Sequence, residues 1–181
     1  LTYDKTHYSL ANILPDQTIV ITGLSKSHAM TGWRIGFILG PTHFRNEVVK
    51  THQYMVTAPT SFAQYGALAA MLHGQDDCAK MMAEYSERRD YLAAELEKLG
   101  FEVASPDGAF YLFANVKVAM HIVGVASSEE FALKLLEEAG VATVSGENFG
   151  CNGFLRLSCA NSEEELREAA NRIKEFIESY K

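Results

Sequence analysis

Cysteine is scarce in this sequence, and long apolar runs are missing from it. The three cysteines, Cys78, Cys151 and Cys159, are odd in number and none is spaced as CxxC, which argues against a disulfide framework and against a metal site. Few, unpatterned cysteines favour a reducing compartment. No apolar run reaches the roughly 18 residues of a membrane-spanning helix, and no stretch has the pattern of a secretory signal. We therefore predict a cytoplasmic protein without a membrane span or a bound metal.

An excess of basic residues is also missing. The sequence has 16 lysines and arginines against 23 aspartates and glutamates, giving a formal net charge of -7. A negatively charged surface repels nucleic-acid phosphates and anionic lipid headgroups, so neither is expected as a partner. The hydrophobic share of 48% is ordinary for a globular protein. The composition leaves small-molecule enzymes and binding modules open.

The most informative stretch is residues 22–36, TGLSKSHAMTGWRIG. Apolar runs at 18–22 and 35–39 flank it, which predicts two strands joined by a turn that presents Lys26. Lysine amines form Schiff bases with carbonyl groups, and arginine guanidinium groups such as that of Arg34 fork onto phosphate oxygens. Pyridoxal phosphate carries both an aldehyde and a phosphate. Two exposed charges on a hairpin are the alternative that the spacing leaves open.

Helices and strands are expected to alternate along the remainder of the chain. Apolar residues at helical spacing predict helices at 42–56, 61–72 and 75–99, the last roughly 37 Å long. Later strands are predicted at 101–103, 109–113, 141–144 and 153–158, and capping boxes at Ser127 and Ser162 predict two further helices. The strands at 18–22 and 34–39 show little polar alternation, which predicts a sheet covered on both faces.

Arg156 is the second residue with chemical potential, because it interrupts the apolar stretch GFLRLSCA at 153–160. A charge inside an apolar strand is costly unless it is paired. The partner is either a carboxylate of the protein or the carboxylate of a ligand, to which a planar guanidinium is well matched. The residues alone leave both possibilities open.

Three motifs together resemble the class I/II aminotransferases, which are fold-type I enzymes that depend on pyridoxal phosphate. The residues GLSK, AM and GWRIG within 23–36 resemble the cofactor-lysine motif of that family. The element PDGAFYLF at 106–113 resembles the start of its small domain. The segment LRLSCA at 155–160 resembles the strand whose arginine holds the substrate carboxylate.

The resemblance implies an α/β fold, as the C-terminal part of a fold-type I transferase. Residues 1–74 are expected to be the end of the large mixed-sheet domain that binds the cofactor, 75–99 a bridging helix, and 100–181 a small α+β domain. The family's partners for the cofactor ring and its N-terminal phosphate loop have no match here, and the chain starts at Leu1. We therefore expect a fragment that lacks an N-terminal half and is inactive alone.

The resemblance also implies a function and five site residues. Lys26 is the expected catalytic residue, because it would carry pyridoxal 5'-phosphate as a lysine aldimine and move the substrate proton. Arg34 is expected to anchor the cofactor phosphate, with Ser25 and Gly23 assisting, and Arg156 to bind the substrate carboxylate. The implied reaction exchanges an amino group between an amino acid and a 2-oxo acid. The intact protein is expected to be a homodimer.

Two alternatives share this scaffold. A β-eliminating C–S lyase uses the same lysine and carboxylate-binding arginine, but it releases pyruvate and ammonia instead of transferring an amino group. A non-catalytic effector domain of an aminotransferase-like regulator would be joined to a DNA-binding segment, and the sequence shows no basic patch.

Overall fold

The computed structural model describes residues 1–3 and 5–181, which form two units, Leu1–Met82 and Ala83–Lys181. A long helix, Gln75–Lys98, contains the division between them. None of the helices in the described residues combines the length and the apolar character that crossing a membrane requires. The predicted division of the chain into a large-domain part, a bridging helix and a small domain, with boundaries after residues 74 and 99, stays a prediction.

The first unit contains a two-stranded antiparallel sheet and a pair of helices. The strands are β1, Val20–Gly23, and β2, Gly36–Leu39, and the helices are α1, Thr42–Met55, and α2, Ser61–His73. Three short 3-10 turns accompany them, at Leu10–Asn12, Pro15–Gln17 and Thr31–Trp33. The strand register sets Gly23 opposite Gly36, so both strands end beside the turn that carries Lys26.

The apolar strands of this unit are only partly covered. A small cluster is buried, consisting of Leu24, Met30, Ile35, Ala63 and Ala67. The outward side chains of the strands are exposed, including Ile21 at 78% and Leu39 at 56%. The prediction of a sheet covered on both faces is therefore wrong for this chain, because β1 and β2 pair only with each other among the described residues.

The helix α3, Gln75–Lys98, follows the predicted boundaries closely. Acidic Asp76 and Asp77 in its first turn and Lys98 in its last turn complement the helix dipole. Gly100 ends it in the left-handed conformation with φ +85°, and the Phe101 amide donates back to the Leu96 carbonyl. The C-terminal half of α3 buries Leu92 and Leu96 in the second unit.

The second unit is a four-stranded antiparallel sheet with helices packed on it. The strands are β3, Glu102–Val103, β4, Tyr111–Asn115, β5, Val144–Ser145, and β6, Phe154–Ser158, in the order β3-β4-β6-β5. The additional helices are α4, Lys117–Val123, α5, Ser128–Ala139, and α6, Glu163–Glu178. Side chains of β4 and β6 alternate between buried and half-buried, which places Arg156 on the face opposite Leu155 and Leu157.

Three details of the second unit differ from prediction, and the first is the helix α4, which the sequence did not predict. Residues 141–143 do not pair with β6, because the Val141 amide donates to the Leu135 carbonyl and completes the end of α5 at Gly140. At the start of α5, Ser127 accepts from the Glu130 amide as predicted, but the Glu130 carboxylate accepts from Ala126. The capping box of α6 is complete.

Candidate active site

Lys26 lies in a turn whose two ends are buried. β1 ends at Gly23, and the carbonyl of the next residue, Leu24, accepts from the amides of His28 at 3.1 Å and Met30 at 3.4 Å. The side chains of Leu24 and Met30 belong to the buried cluster of the first unit. Because both ends of the turn point inward, its middle is pushed outward and Lys26 is exposed.

Arg34 is held near this turn by its own backbone conformation. It adopts the left-handed region with φ 52° and ψ 49°, and its Nη1 donates to the Thr31 carbonyl at 3.0 Å. The Thr31 hydroxyl in turn donates to the Ser25 carbonyl at 2.8 Å. A residue other than glycine in this region carries strain of roughly 1–3 kcal/mol, and such strain is concentrated at functional sites. Ala29 has φ 51°, so strained residues lie on both sides of Thr31–Trp33.

These turns form one cavity of about 410 Å³. Its lining includes all four predicted cofactor residues, Gly23, Ser25, Lys26 and Arg34, together with Thr22, Ile35 and Gly36. Two cationic residues and two hydroxyl residues thus line one space together with the paired glycines Gly23 and Gly36. This donor set fits a ligand that carries both an anionic phosphate and a carbonyl group.

The helix α2 contacts Trp33, which lies in the turn immediately before Arg34. The Trp33 ring lies so close to Gly66 that a Cβ at that position would be 2.3 Å from the ring carbon Cζ3. The Phe62 ring contacts Trp33 edge to face with centroids 6.2 Å apart. A small residue at position 66 therefore lets the turn before Arg34 approach the helix.

His28 is close to Lys26 in sequence but lines a different cavity. That cavity has a volume of about 240 Å³ and includes Asp77 and Cys78. The Nδ1 of His28 is hydrogen-bonded to the Ser27 hydroxyl at 2.8 Å, and its buried Nε2 finds no partner in the described residues. The structure therefore does not bring the His28 ring to the cavity that contains Lys26.

Arg156 belongs to the second unit and makes cation–π contacts with two aromatic rings. Its guanidinium carbon is 4.4 Å from the centroid of Tyr111 and 5.0 Å from that of Phe149. Within residues 1–3 and 5–181 it forms no ion pair, so the protein carboxylate that the sequence left open is not found. Cation–π contact with the two rings holds the guanidinium without using its N–H donors, which suit a ligand carboxylate.

Tyr111 and Phe149 are site neighbours that the sequence analysis did not identify. Tyr111 lies in the FYLF element of the small-domain motif, on β4, and Phe149 lies in the 3-10 turn Gly146–Phe149. In the pairing of β4 with β6, Phe113 lies opposite Arg156. Tyr111 is two residues before Phe113, so it lies on the same face of the sheet as Arg156.

Burial raises the pKa of Cys159, on the inward side after β6, to about 11, so this thiol is not a nucleophile at neutral pH.

Comparison with known proteins places these residues in a family. The family described as aminotransferase class I and II matches residues 2–173. A probable N-acetyl-LL-diaminopimelate aminotransferase of Bacillus subtilis is 46% identical over 98% of this chain and 44% of its own length. An aspartate aminotransferase of the same organism is 41% identical over 99% of this chain and 47% of its own length.

Structural comparison agrees with the sequence comparison. The crystal structure of an aromatic aminotransferase from Pyrococcus horikoshii matches with a TM-score of 0.89 and 34% identity, over 98% of this chain and 48% of that one. The predicted α/β aminotransferase fold is therefore confirmed, and the chain spans about half the length of the relatives it matches. Enzymes of this family depend on pyridoxal phosphate and act on amino acids and oxo acids. The chain belongs to the class I and II aminotransferase family.

Proposed function

We propose that the protein containing this chain is a pyridoxal-phosphate-dependent aminotransferase, which moves an amino group between an amino acid and a 2-oxo acid. The observation that carries the proposal is the cavity in which Lys26, Arg34, Ser25 and Gly23 meet. An amine and a guanidinium are both required by a cofactor with an aldehyde and a phosphate, and surface charges with no common ligand need not share one cavity.

Each residue of the cavity has a distinct task in this proposal. Arg34 forks onto the phosphate, and its strained backbone holds the guanidinium beside the turn before any ligand arrives. The Ser25 hydroxyl donates a further hydrogen bond, while the absence of a side chain at Gly23 keeps the β1 end open to the phosphate. Bound pyridoxal phosphate supplies the electron sink for bond breaking at the substrate α-carbon.

Lys26 has two roles, which follow from its amine. Its amine would hold the cofactor through the cofactor's carbonyl group, and it would carry the proton that leaves the substrate α-carbon, acting first as a base and then as an acid. Lys26 is exposed in the turn and lines the same cavity as Arg34. A residue with both tasks has no substitute in the cavity, since the described lining contains no second amine or imidazole.

Arg156 binds the α-carboxylate of the substrate in this proposal. Tyr111 and Phe149 hold the plane of the guanidinium, and two parallel N–H donors of its edge match two carboxylate oxygens. The carboxylate is common to the amino acid and to the 2-oxo acid, so one arginine serves both halves of the exchange.

The isolated chain is proposed to be inactive. The described lining of the Lys26 cavity contains no carboxylate to pair with the pyridine nitrogen of the cofactor, and such a partner is needed for the ring to accept electrons. A homodimer and a cytoplasmic location belong to the same proposal. The dimer is supported by exposed apolar side chains on α2, such as Phe62 and Tyr65.

Replacing Lys26 tests the proposal. In a full-length polypeptide that includes this chain, we expect Lys26→Ala to reduce transamination by roughly 10²–10⁴ or more, because both the covalent anchor and the proton carrier are lost. Lys50→Ala is the matched control, since Lys50 is exposed and paired with Glu47 in the same unit. The assay follows oxo acid and amino acid products separately. Undiminished amino-group transfer by Lys26→Ala contradicts the proposal. Release of pyruvate and ammonia by the wild-type protein, in place of amino-group transfer, identifies a lyase instead.

A further inference from the structure

Four hydrogen bonds converge on Ser128, the first residue of α5. Its amide donates to Glu147 Oε1 at 2.9 Å and to Asn152 Oδ1 at 3.0 Å. Its hydroxyl donates to Glu147 Oε2 and accepts from the Gly153 amide, the latter at 3.2 Å. Ser128 is fully buried. We call Ser128, Glu147 and Asn152 the clamp, because they tie the start of α5 to the segment 146–153.

The segment tied by the clamp is the one that brings Phe149 to Arg156. Glu147 and Phe149 both lie in the turn Gly146–Phe149, and Asn152 lies two residues before β6, the strand that contains Arg156. The segment also closes on itself, because the Cys151 amide donates to the Gly146 carbonyl at 2.9 Å. A Cβ at Gly146 would be 2.1 Å from the Cys151 carbonyl oxygen, so the backbone of the segment is tightly packed at that residue.

The two rings that stack on Arg156 differ in how they are held. Tyr111 is fixed by the sheet, since β4 pairs with β6 along its whole length. Phe149 lies on a turn and is 49% exposed, so only the anchoring of that turn keeps its ring in place. Its other aromatic neighbour, Phe113, contacts it edge to face with centroids 6.0 Å apart. The clamp is the polar part of that anchoring.

Charge keeps the clamp closed. The hydrogen bond from the Ser128 hydroxyl, with further donors from the backbone, lowers the pKa of Glu147 to about 2. The carboxylate is therefore ionised at neutral pH. Hydrogen bonds to an ionised carboxylate are roughly twice as strong as those between neutral groups.

We propose that Glu147 and Ser128 are positioning residues for substrate binding, which hold Phe149 against Arg156 and so orient the guanidinium edge toward the substrate carboxylate. The inference rests on the proposed role of Arg156. It assigns a task to residues that do not touch the substrate. Loosening the clamp releases one of the two stacked rings, and a guanidinium with a free face rotates away from the forked geometry.

Kinetics of the full-length protein separate this role from general structural support. For Glu147→Ala we expect KM for the amino acid to rise roughly tenfold, equivalent to about 1.4 kcal/mol, with kcat within about twofold of the wild type. Glu147→Gln keeps the shape and one acceptor but lacks the charge, so it should rescue only part of the loss. Glu129→Gln is the matched control, because Glu129 is an exposed acid of the same helical turn outside the clamp.

A second readout uses this chain directly. Stacking on Tyr111 and Phe149 shifts the Arg156 Nε–Hε signal in a nitrogen-15 NMR spectrum. We expect Glu147→Ala and Ser128→Ala to move this signal in the same direction as Phe149→Leu, and Glu129→Gln to leave it in place. If Glu147→Ala fails to fold, Ser128→Ala supplies the same comparison.

The outcomes distinguish the inference from the function on which it rests. If Arg156→Ala leaves KM unchanged, the proposed carboxylate site is wrong. If Arg156→Ala raises KM while the clamp variants keep both KM and the Arg156 signal, the carboxylate site stands and the positioning role is wrong. A fall in kcat equal to the rise in KM for Glu147→Ala also overturns the positioning role.

Discussion

In the second unit the side chains of Phe131 and Leu112 are fully enclosed, whereas in the first unit Ile21 and Tyr65 are 78% and 74% exposed. The second unit thus has a continuous core between its sheet and helices, and the first has one small cluster behind the Lys26 turn. Burial of apolar area is the main source of stability, so the two units should differ in how firmly they hold their site residues.

The difference changes how the two candidate sites are built. Arg156 lies on a strand paired on both sides, and its stacking partners come from the sheet and from a clamped turn. Arg34 and Lys26 depend on turn hydrogen bonds, two strained residues and the contact of Trp33 with Gly66. The chain spans about half the length of its relatives, and its exposed apolar strands belong to the unit with the smaller core.

Truncating an apolar side chain is expected to give the largest difference in stability effect between the two units. Phe131→Ala should lower the free energy of unfolding of the second unit by about 3–5 kcal/mol, because the enclosed ring leaves a cavity. Ile21→Ala should change the free energy of unfolding of the first unit by no more than about 0.5 kcal/mol, since the side chain is exposed. Urea titration monitored by NMR signals of each unit measures both values. Equal effects would remove the distinction between the units.

Replacing a glycine by alanine is expected to give a smaller difference in stability effect between the two units. Gly146→Ala should cost about 1–3 kcal/mol, since the new Cβ meets the Cys151 backbone, which cannot rotate away. At Gly66 the obstacle is the half-exposed Trp33 ring, and alanine improves the helix by about 1 kcal/mol over glycine, so the net change should be near zero. Trp33 is the sole tryptophan, and its emission should shift to longer wavelength as the ring moves. A large loss in Gly66→Ala would mean that the first unit is as tightly packed as the second.

Prediction from the sequence succeeded where contacts are close along the chain. The four predicted cofactor residues of the Lys26 cavity lie within twelve positions, so a turn between two strands is enough to bring them together. The clamp joins Ser128 to residues that are 19 and 24 positions away, and hydrophobic periodicity contains no information about such polar contacts. The helix α4 was missed because seven residues are too few to show a period.

Acid titration gives the smallest expected effect and is confined to the second unit. Because the pKa of Glu147 is about 2 in the folded chain and near 4.5 unfolded, its contribution is complete above pH 4.5 and is lost as the pH falls toward 2. The difference in unfolding free energy between wild type and Glu147→Gln should therefore be constant at neutral pH and shrink over that interval. A difference that grows on acidification would contradict the clamp.

The central claim is that Lys26 holds the cofactor, and covalent trapping tests it most directly. Full-length protein that includes this chain is incubated with pyridoxal phosphate, reduced with borohydride, and digested for peptide mass spectrometry. The account predicts one phosphopyridoxyl group on Lys26, its loss in Lys26→Ala, and weaker labelling in Arg34→Ala because the phosphate anchor is removed. Labelling at Lys5 or Lys50 with Lys26 unmodified would contradict it.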